Sequence, residues 1–263
     1  MNKKYQTSII EAGALVGEGT KIGNACFIGK NVVIGKNNMI DSLVVIDGNT
    51  TIGDNNHIAT RTVLGTTAQD IRSDTDSVGL KIGNYNDIGT AVFISVGTTH
   101  GGKLTVIKNH NTLMDRIHIG HDVQMGSHCL MEENSALGGH VTVDNYVTFG
   151  KSSAVHQFVN IGEYAVVSNN AALTQDVPPY CVAQGNRAKI IGLNIDILNQ
   201  HFSKSEVSDI TDAYHWLFET SISPKEKAVK ALNERQVEVL KKFYSSIADS
   251  KRGIPFTRKE NVN

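Results

Sequence analysis

Two histidines and an aspartate raise the chemical question. His118 and His121 stand three residues apart in the stretch NTLMDRIHIGHDVQMG, residues 111–126, and Asp122 directly follows the second histidine. An imidazole titrates near neutral pH and can take a proton from a hydroxyl, while a carboxylate can hold its tautomer. The pair suits a general base. Neighbouring side chains on a strand point to opposite faces. Asp122 is therefore expected to reach the His121 ring only at a bend, or to act through its backbone. Further on lie Gly138–Gly139–His140 and Val155–His156–Gln157–Phe158, with Gly139 18 residues beyond His121. His118, His121 and His140 also form a set of nitrogen donors that zinc accepts, so a metal enzyme is a second reading of the same residues.

The element that must position these groups is a repeat of period six. Aliphatic residues recur at Ile10, Val16, Ile22, Ile28 and every sixth position to Leu64. Asp70 and Asp76 then occupy the slot, which resumes at Ile82, Ile88 and Ile94. After Gly97–Lys103 the phase moves by one residue and runs from Ile107 to Leu173. Thirteen of the 24 glycines directly follow the aliphatic slot, which predicts a recurrent corner needing a permissive backbone. A helix is excluded, because six is not a multiple of 3.6. Short strands joined by corners, stacked coil on coil, would bury the recurring aliphatics in one ladder.

This pattern resembles the hexapeptide-repeat family. The resemblance implies a left-handed parallel β-helix with three flat faces and six residues per face. The hand comes from the resemblance alone, since parallel crossovers usually turn the other way. In such a fold three hexads make one lap. Gly139 would then sit one coil beyond His121 on the same edge, with His140 close by. Its amide could receive the oxyanion of an acyl-transfer intermediate.

The two interruptions, near 65–79 and 97–103, are polar and break the ladder; both are expected to loop out near the functional cleft. The pattern stops after Leu173 and QDVPPY. Residues 187–263 read as a C-terminal α-helical domain following a β-helical domain over 1–186. Ser203 with Glu206 fits a capping box, Ser223–Pro224 a helix start, and Leu240, Phe243, Tyr244 and Ile247 an amphipathic helix ended by Gly253.

The chain has 263 residues with a formal net charge of -1. That argues against nucleic-acid or membrane-surface binding, which needs a basic face. Three cysteines, Cys26, Cys129 and Cys181, without CxxC spacing, predict reduced thiols in a cytoplasmic protein. No stretch is long and apolar enough to span a bilayer.

Five motifs make the resemblance more specific: HIGHD at 118–122, ALGGHVTVDN at 136–145, SSAVHQF at 152–158, QDVPPY at 175–180 and AQGNRA at 183–188. With AQDI at 68–71, their order and spacing resemble the UDP-N-acetylglucosamine O-acyltransferase family of lipid A biosynthesis. The resemblance covers essentially the whole chain. It implies transfer of a (3R)-hydroxyacyl group from acyl carrier protein to the 3-hydroxyl of UDP-N-acetylglucosamine, with no cofactor. It implies His121 as general base, Asp122 as its support and Gly139 as oxyanion donor. His118, His140, His156, Gln157, Asp70, Arg72, Asn194 and Asp196 match substrate-contacting positions, Arg72 standing where a lysine is usual. Asn169 matches the end of the acyl groove, where a small residue is usual. Homotrimers with sites between neighbouring prisms are also implied. Gln200 and His201 replace a usual arginine pair, which leaves open a different acceptor such as the 3-amino UDP-sugar, or a non-catalytic paralogue.

Overall fold

The computed structural model describes residues 7–72, 77–218, 223–234 and 238–256. Most of the chain is wound into a prism of three parallel sheets with nine, eight and ten strands. Most strands are two residues long, and each pairs with the strand three further along the chain. One lap is 18 residues, as in the hydrogen bond from the Asn38 amide to Thr20. The aliphatic slot of each strand faces inward. On the first face Ile28, Ile46, Leu64, Ile94, Ile119 and Leu137 pair in register and are fully buried. Burying each such side chain contributes roughly 1.5–3 kcal/mol, and the ladder repeats this on every face of every coil.

Stacked coils place equivalent residues directly above one another, so polar groups inside the prism must be satisfied vertically. Asparagines do this. The Asn38 side-chain oxygen accepts from the amide and side chain of Asn56, Asn56 accepts likewise from Asn86, and Asn86 from Asn111, with distances of 2.8–3.1 Å. The Cys129 amide ends the series on the Asn111 oxygen at 2.8 Å.

The corners differ from the expectation. Left-handed backbone falls three residues after the aliphatic slot, on Asn37, Arg61, Asp122, His140, Tyr146 and their equivalents, with φ of 55–61° at these positions. The glycines that directly follow the slot do not carry it, Gly65 excepted. They are required by close approach instead: a Cβ on Gly17 would lie 2.5 Å from the Gly35 backbone of the next coil.

Both interruptions leave the prism at one edge, between the first and second faces. The first lies between strands Val63–Thr66 and Gly79–Ile82, the second between Phe93–Ser95 and Leu104–Ile107. They lengthen a lap from 18 to 30 and 25 residues; the register shifts at Thr66, which pairs with Ser95, while the aliphatic rungs stay in step. Residues 73–76, including Asp76, lie outside the described residues.

Strand Lys189–Leu193 extends the third face antiparallel to Cys181–Gln184. Four helices follow: α1 (Ile195–His201), α2 (Lys204–Phe218), α3 (Pro224–Glu234) and α4 (Glu238–Ala248). The expected capping box forms: the Ser203 amide donates to Glu206 at 2.8 Å, and the Glu206 amide donates back to the Ser203 hydroxyl at 3.3 Å. Leu240, Phe243, Tyr244 and Ile247 are buried in α4. Gly253 does not end α4. It lies beyond the helix with φ of 75°, and its carbonyl accepts the Asp176 amide at 2.9 Å, tying the chain's end to the prism. All three cysteines are free and buried; burial pushes the Cys129 thiol up to about 12.

Candidate active site

His121 and Asp122 lie at the edge between the first and second faces, just after strand His118–Ile119. Asp122 is the left-handed corner residue, with φ of 59°. The turn at 122 brings its side chain round to its neighbour, and Asp122 Oδ2 accepts from His121 Nδ1 at 2.9 Å. Opposite-face geometry therefore does not hold here, because the strand has already ended.

The Asp122 carboxylate is 1% exposed and saturated. The Thr98 amide donates to its two oxygens at 3.0 and 3.1 Å, and the Thr98 hydroxyl donates to Oδ2 at 2.6 Å. Burial works to raise the Asp122 carboxyl, but Thr98, His121 and His140 together hold it below its ordinary value. Thr98 belongs to the second interruption, so that loop is fastened onto the His121–Asp122 pair.

The His121 side chain is 11% exposed. With Nδ1 committed to Asp122, Nε2 has no partner among the described residues. Gly139 sits one lap on. A Cβ there would fall 2.6 Å from His121 Nε2 and 2.5 Å from Cε1, so only glycine leaves the ring its place. No acceptor among the described residues takes the Gly139 amide hydrogen. An imidazole nitrogen and a backbone amide, both without a hydrogen-bond partner among the described residues, thus belong to residues in close approach. That is the requirement for removing a proton from a hydroxyl and holding the oxyanion formed when it attacks a carbonyl.

His140, on the same corner as Gly139, stands edge-on to His121 with ring centroids 4.9 Å apart and lies flat on Phe158 at 4.4 Å. Its Nε2 is 3.7 Å from Asp122 Oδ2. Burial pushes the His140 imidazole below its ordinary value, against the opposing pull of Asp122. His118 lies on the first face, stacked on Phe93 at 5.5 Å, and burial lowers it also. Among the described residues, the side chains grouped closely enough to share a metal are His121, Asp122 and His140. His118 is not in that group, so the three-histidine zinc set is not assembled within one chain.

Asp70, in the first interruption, accepts a two-pronged Arg72 guanidinium at 3.0 and 2.8 Å and lies 3.2 Å from His100 Nε2. The Arg72 side chain and amide hold its carboxyl well below the usual carboxylate range. His156 and Gln157 occupy the same edge one coil past Gly139, both exposed. Asn169, Asn194 and Asp196 are elsewhere. Asn169 caps the Lys151 amide at 2.9 Å on the edge between the third and first faces. Asn194 donates to the Tyr164 carbonyl at 3.0 Å, and Asp196 is exposed in the first turn of α1. One chain therefore gathers Asp70, Arg72, His118, His121, Asp122, Gly139, His140, His156 and Gln157, but not these three. Thr98, His100 and Phe158 are additions that sequence reading missed.

Comparison with known proteins identifies the family. Residues 176–255 match the family described as Udp N-acetylglucosamine O-acyltransferase, domain 2, and residues 31–66 match the bacterial transferase hexapeptide. An acyl-[acyl-carrier-protein]--UDP-N-acetylglucosamine O-acyltransferase of Sulfurovum sp. is 40% identical over 259 residues, covering 98% of this chain and 100% of that one. The chain belongs to the UDP-N-acetylglucosamine O-acyltransferase family. An Aliarcobacter butzleri member is likewise 40% identical over 260 residues, covering 98% and 100%. Among solved members, that of Campylobacter jejuni superposes with a TM-score of 0.91 at 33% identity, covering 96% of this chain and 98% of that one. That of Acinetobacter baumannii gives 0.90 at 32%, covering 96% and 99%. The fold is the family's left-handed parallel β-helix with C-terminal helices. His201, one of the two residues that depart from the arginine pair, lies against the rings of Tyr146 and Tyr164, with centroids 5.7 and 5.3 Å away.

Proposed function

We propose that this protein moves a (3R)-hydroxyacyl group from acyl carrier protein to the 3-hydroxyl of UDP-N-acetylglucosamine, the first step of lipid A biosynthesis. The observation that carries the reading is the close approach of the His121 ring to Gly139 one lap away, where a Cβ would fall 2.6 Å from Nε2, in a chain of this family. His121 Nε2 takes the proton of the sugar hydroxyl as its oxygen attacks the thioester carbonyl carbon. The carbonyl oxygen becomes an oxyanion and accepts from the Gly139 amide. Collapse breaks the carbon–sulfur bond, and the departing thiolate takes the proton back from His121. Asp122 keeps Nδ1 protonated and stabilises the imidazolium that forms between the two steps. No cofactor takes part in this scheme.

His118, His140, His156, Gln157, Asp70 and Arg72 serve as substrate contacts on the same edge. Asn169, Asn194 and Asp196 would complete the site of a neighbouring copy, since they lie away from His121 in their own chain. That supports a homotrimer. So does the first face, whose outward residues Phe27, Val45, Val63, Phe93 and Ala136 are apolar and only half-buried. Among the described residues no helix is long and apolar enough to cross a membrane, which accords with a cytoplasmic enzyme and a carrier-bound donor. A division into 1–186 and 187–263 is part of the same proposal, with strand Lys189–Leu193 of the second part paired to the prism.

Gln200 and His201 favour a second reading, in which the acceptor is the 3-amino UDP-sugar and the product an amide. Incubation with hydroxyacyl carrier protein and each sugar, followed by mass spectrometry, tests both. Acylated UDP-N-acetylglucosamine from the wild type and none from His121→Ala is the expected result. Acylation of the amino sugar alone would move the assignment to an N-acyltransferase. No product with either sugar, or product surviving in the variant, would defeat it.

A further inference from the structure

The two interruptions meet in a contact that neither the motifs nor the scheme above uses. Among the described residues, His100 is the one side chain from outside the first interruption that hydrogen-bonds Asp70, at 3.2 Å from Oδ2. Arg72 also grips Asp70, but it belongs to the same loop and cannot fix that loop against the rest of the molecule. Apolar packing fixes little either. Of the described residues 67–72 only Ala68 is buried as a hydrophobe, and Ile71 is fully exposed. The other end of the His100 segment is rigid. Thr98 is bonded to Asp122 through both amide and hydroxyl. Gly101 lies so close that a Cβ would come 2.5 Å from Asp122 Oδ2 and 2.6 Å from His140 Cε1. Four residues, 98–101, therefore run from the carboxylate that orients His121 to the carboxylate of Asp70.

We propose that His100 is a positioning residue: it locks Asp70 at a fixed distance from the His121–Asp122 pair, so that the sugar bound by Asp70 presents its hydroxyl to His121. This rests on the reading of Asp70 as a sugar contact. Within the described residues 67–72 the His100 bond is the one hydrogen bond to a group outside the loop, and a segment so held pays the ordering entropy at binding when that bond is cut. The loss then falls on substrate capture and leaves the chemical step intact.

The test compares wild type with His100→Ala, His100→Gln, Asp70→Asn and the His100→Ala/Asp70→Asn double variant. Steady-state kinetics with UDP-N-acetylglucosamine and hydrogen–deuterium exchange are the readouts. His100→Ala should raise KM for the nucleotide sugar about tenfold with kcat within about twofold. It should also speed exchange in 66–72 while leaving 118–142 as in wild type. His100→Gln, which keeps a side-chain N–H donor, should restore both. In the Asp70→Asn background, removing His100 should add little, because the acceptor is already altered. An unchanged KM, an effect confined to kcat, additive losses in the double variant, or unaltered exchange in 66–72 would each overturn the proposal. A wild-type enzyme inactive on this sugar would defeat the functional reading, and the sugar-facing role of His100 with it; exchange would then still report on the tie itself.

Discussion

His121 and Gly139 stand one lap apart, and a Cβ on Gly139 would fall 2.6 Å from His121 Nε2. The imidazole proposed as general base is thus seated against bare backbone. Gly139 has no positive φ, so Gly139→Ala should fold. The methyl group would nonetheless push the ring off its bond to Asp122 and cover the amide. A fall in kcat of about 10²-fold or more is expected, with a melting temperature near that of wild type. Normal turnover by this variant would remove the oxyanion role.

Asp122→Asn keeps the shape but replaces the negative acceptor facing Nδ1. The tautomer that leaves Nε2 ready to accept a proton is then no longer enforced. A loss in kcat of about 10³–10⁴-fold is expected, read in single-turnover assays.

Thr98→Val removes the hydroxyl bonded to Asp122 Oδ2 at 2.6 Å. That bond helps hold the Asp122 carboxyl below its ordinary value, against burial, so the variant's carboxyl should titrate higher. Activity that depends on ionised Asp122 is present above its pKa and lost as pH falls through it. The acid limb of the kcat profile should therefore move to higher pH in Thr98→Val. An unmoved limb would exclude Thr98 from tuning the pair.

Burial lowers the folded-state values of His118 and His140 from 6.5. In both cases the unfolded chain binds the proton more readily. Their contribution to stability is complete above pH 6.5 and is lost as pH falls through the lower folded values. Melting temperatures should drop from pH 6.5 downward, and the drop should be smaller in His118→Gln and His140→Gln. Equal slopes in all three proteins would contradict this.

Asn86 both donates to Asn56 and accepts from Asn111 inside the prism. Asn86→Ala leaves the Asn111 amide without its acceptor and the Asn111 side chain with the Gly126 carbonyl alone. It should destabilise by about 2–4 kcal/mol, measured by chemical denaturation, with kcat per folded molecule unchanged.

The period of six was plain in the sequence because the aliphatic ladder repeats in every coil, and it carried His121 and Gly139 to the same edge. The Ser203–Glu206 cap and the Pro224 helix start were equally readable, since both are local. The corner was misread: left-handed backbone falls on asparagine, arginine, histidine, tyrosine and aspartate alike, so residue type did not mark it. The sequence therefore left open whether Asp122 meets His121 at a bend or acts through its backbone; the bond forms because Asp122 is a corner. Thr98 and His100 were out of reach for another reason. Their contacts are made by looped-out segments, whose paths the period does not set. The asparagine series at 38, 56, 86 and 111 was masked by the same loops, which change its spacing from lap to lap.

Each loop-out rejoins the stack at the edge where it left, and apart from the shift at Thr66 the rungs stay in step. The rim of the groove is therefore heritable separately from the frame that carries it. Segments around 67–78 and 97–103 can change in length and chemistry between relatives while the distance from His121 to Gly139 stays constant. A lineage acquiring a new acceptor would need to rewrite only that rim.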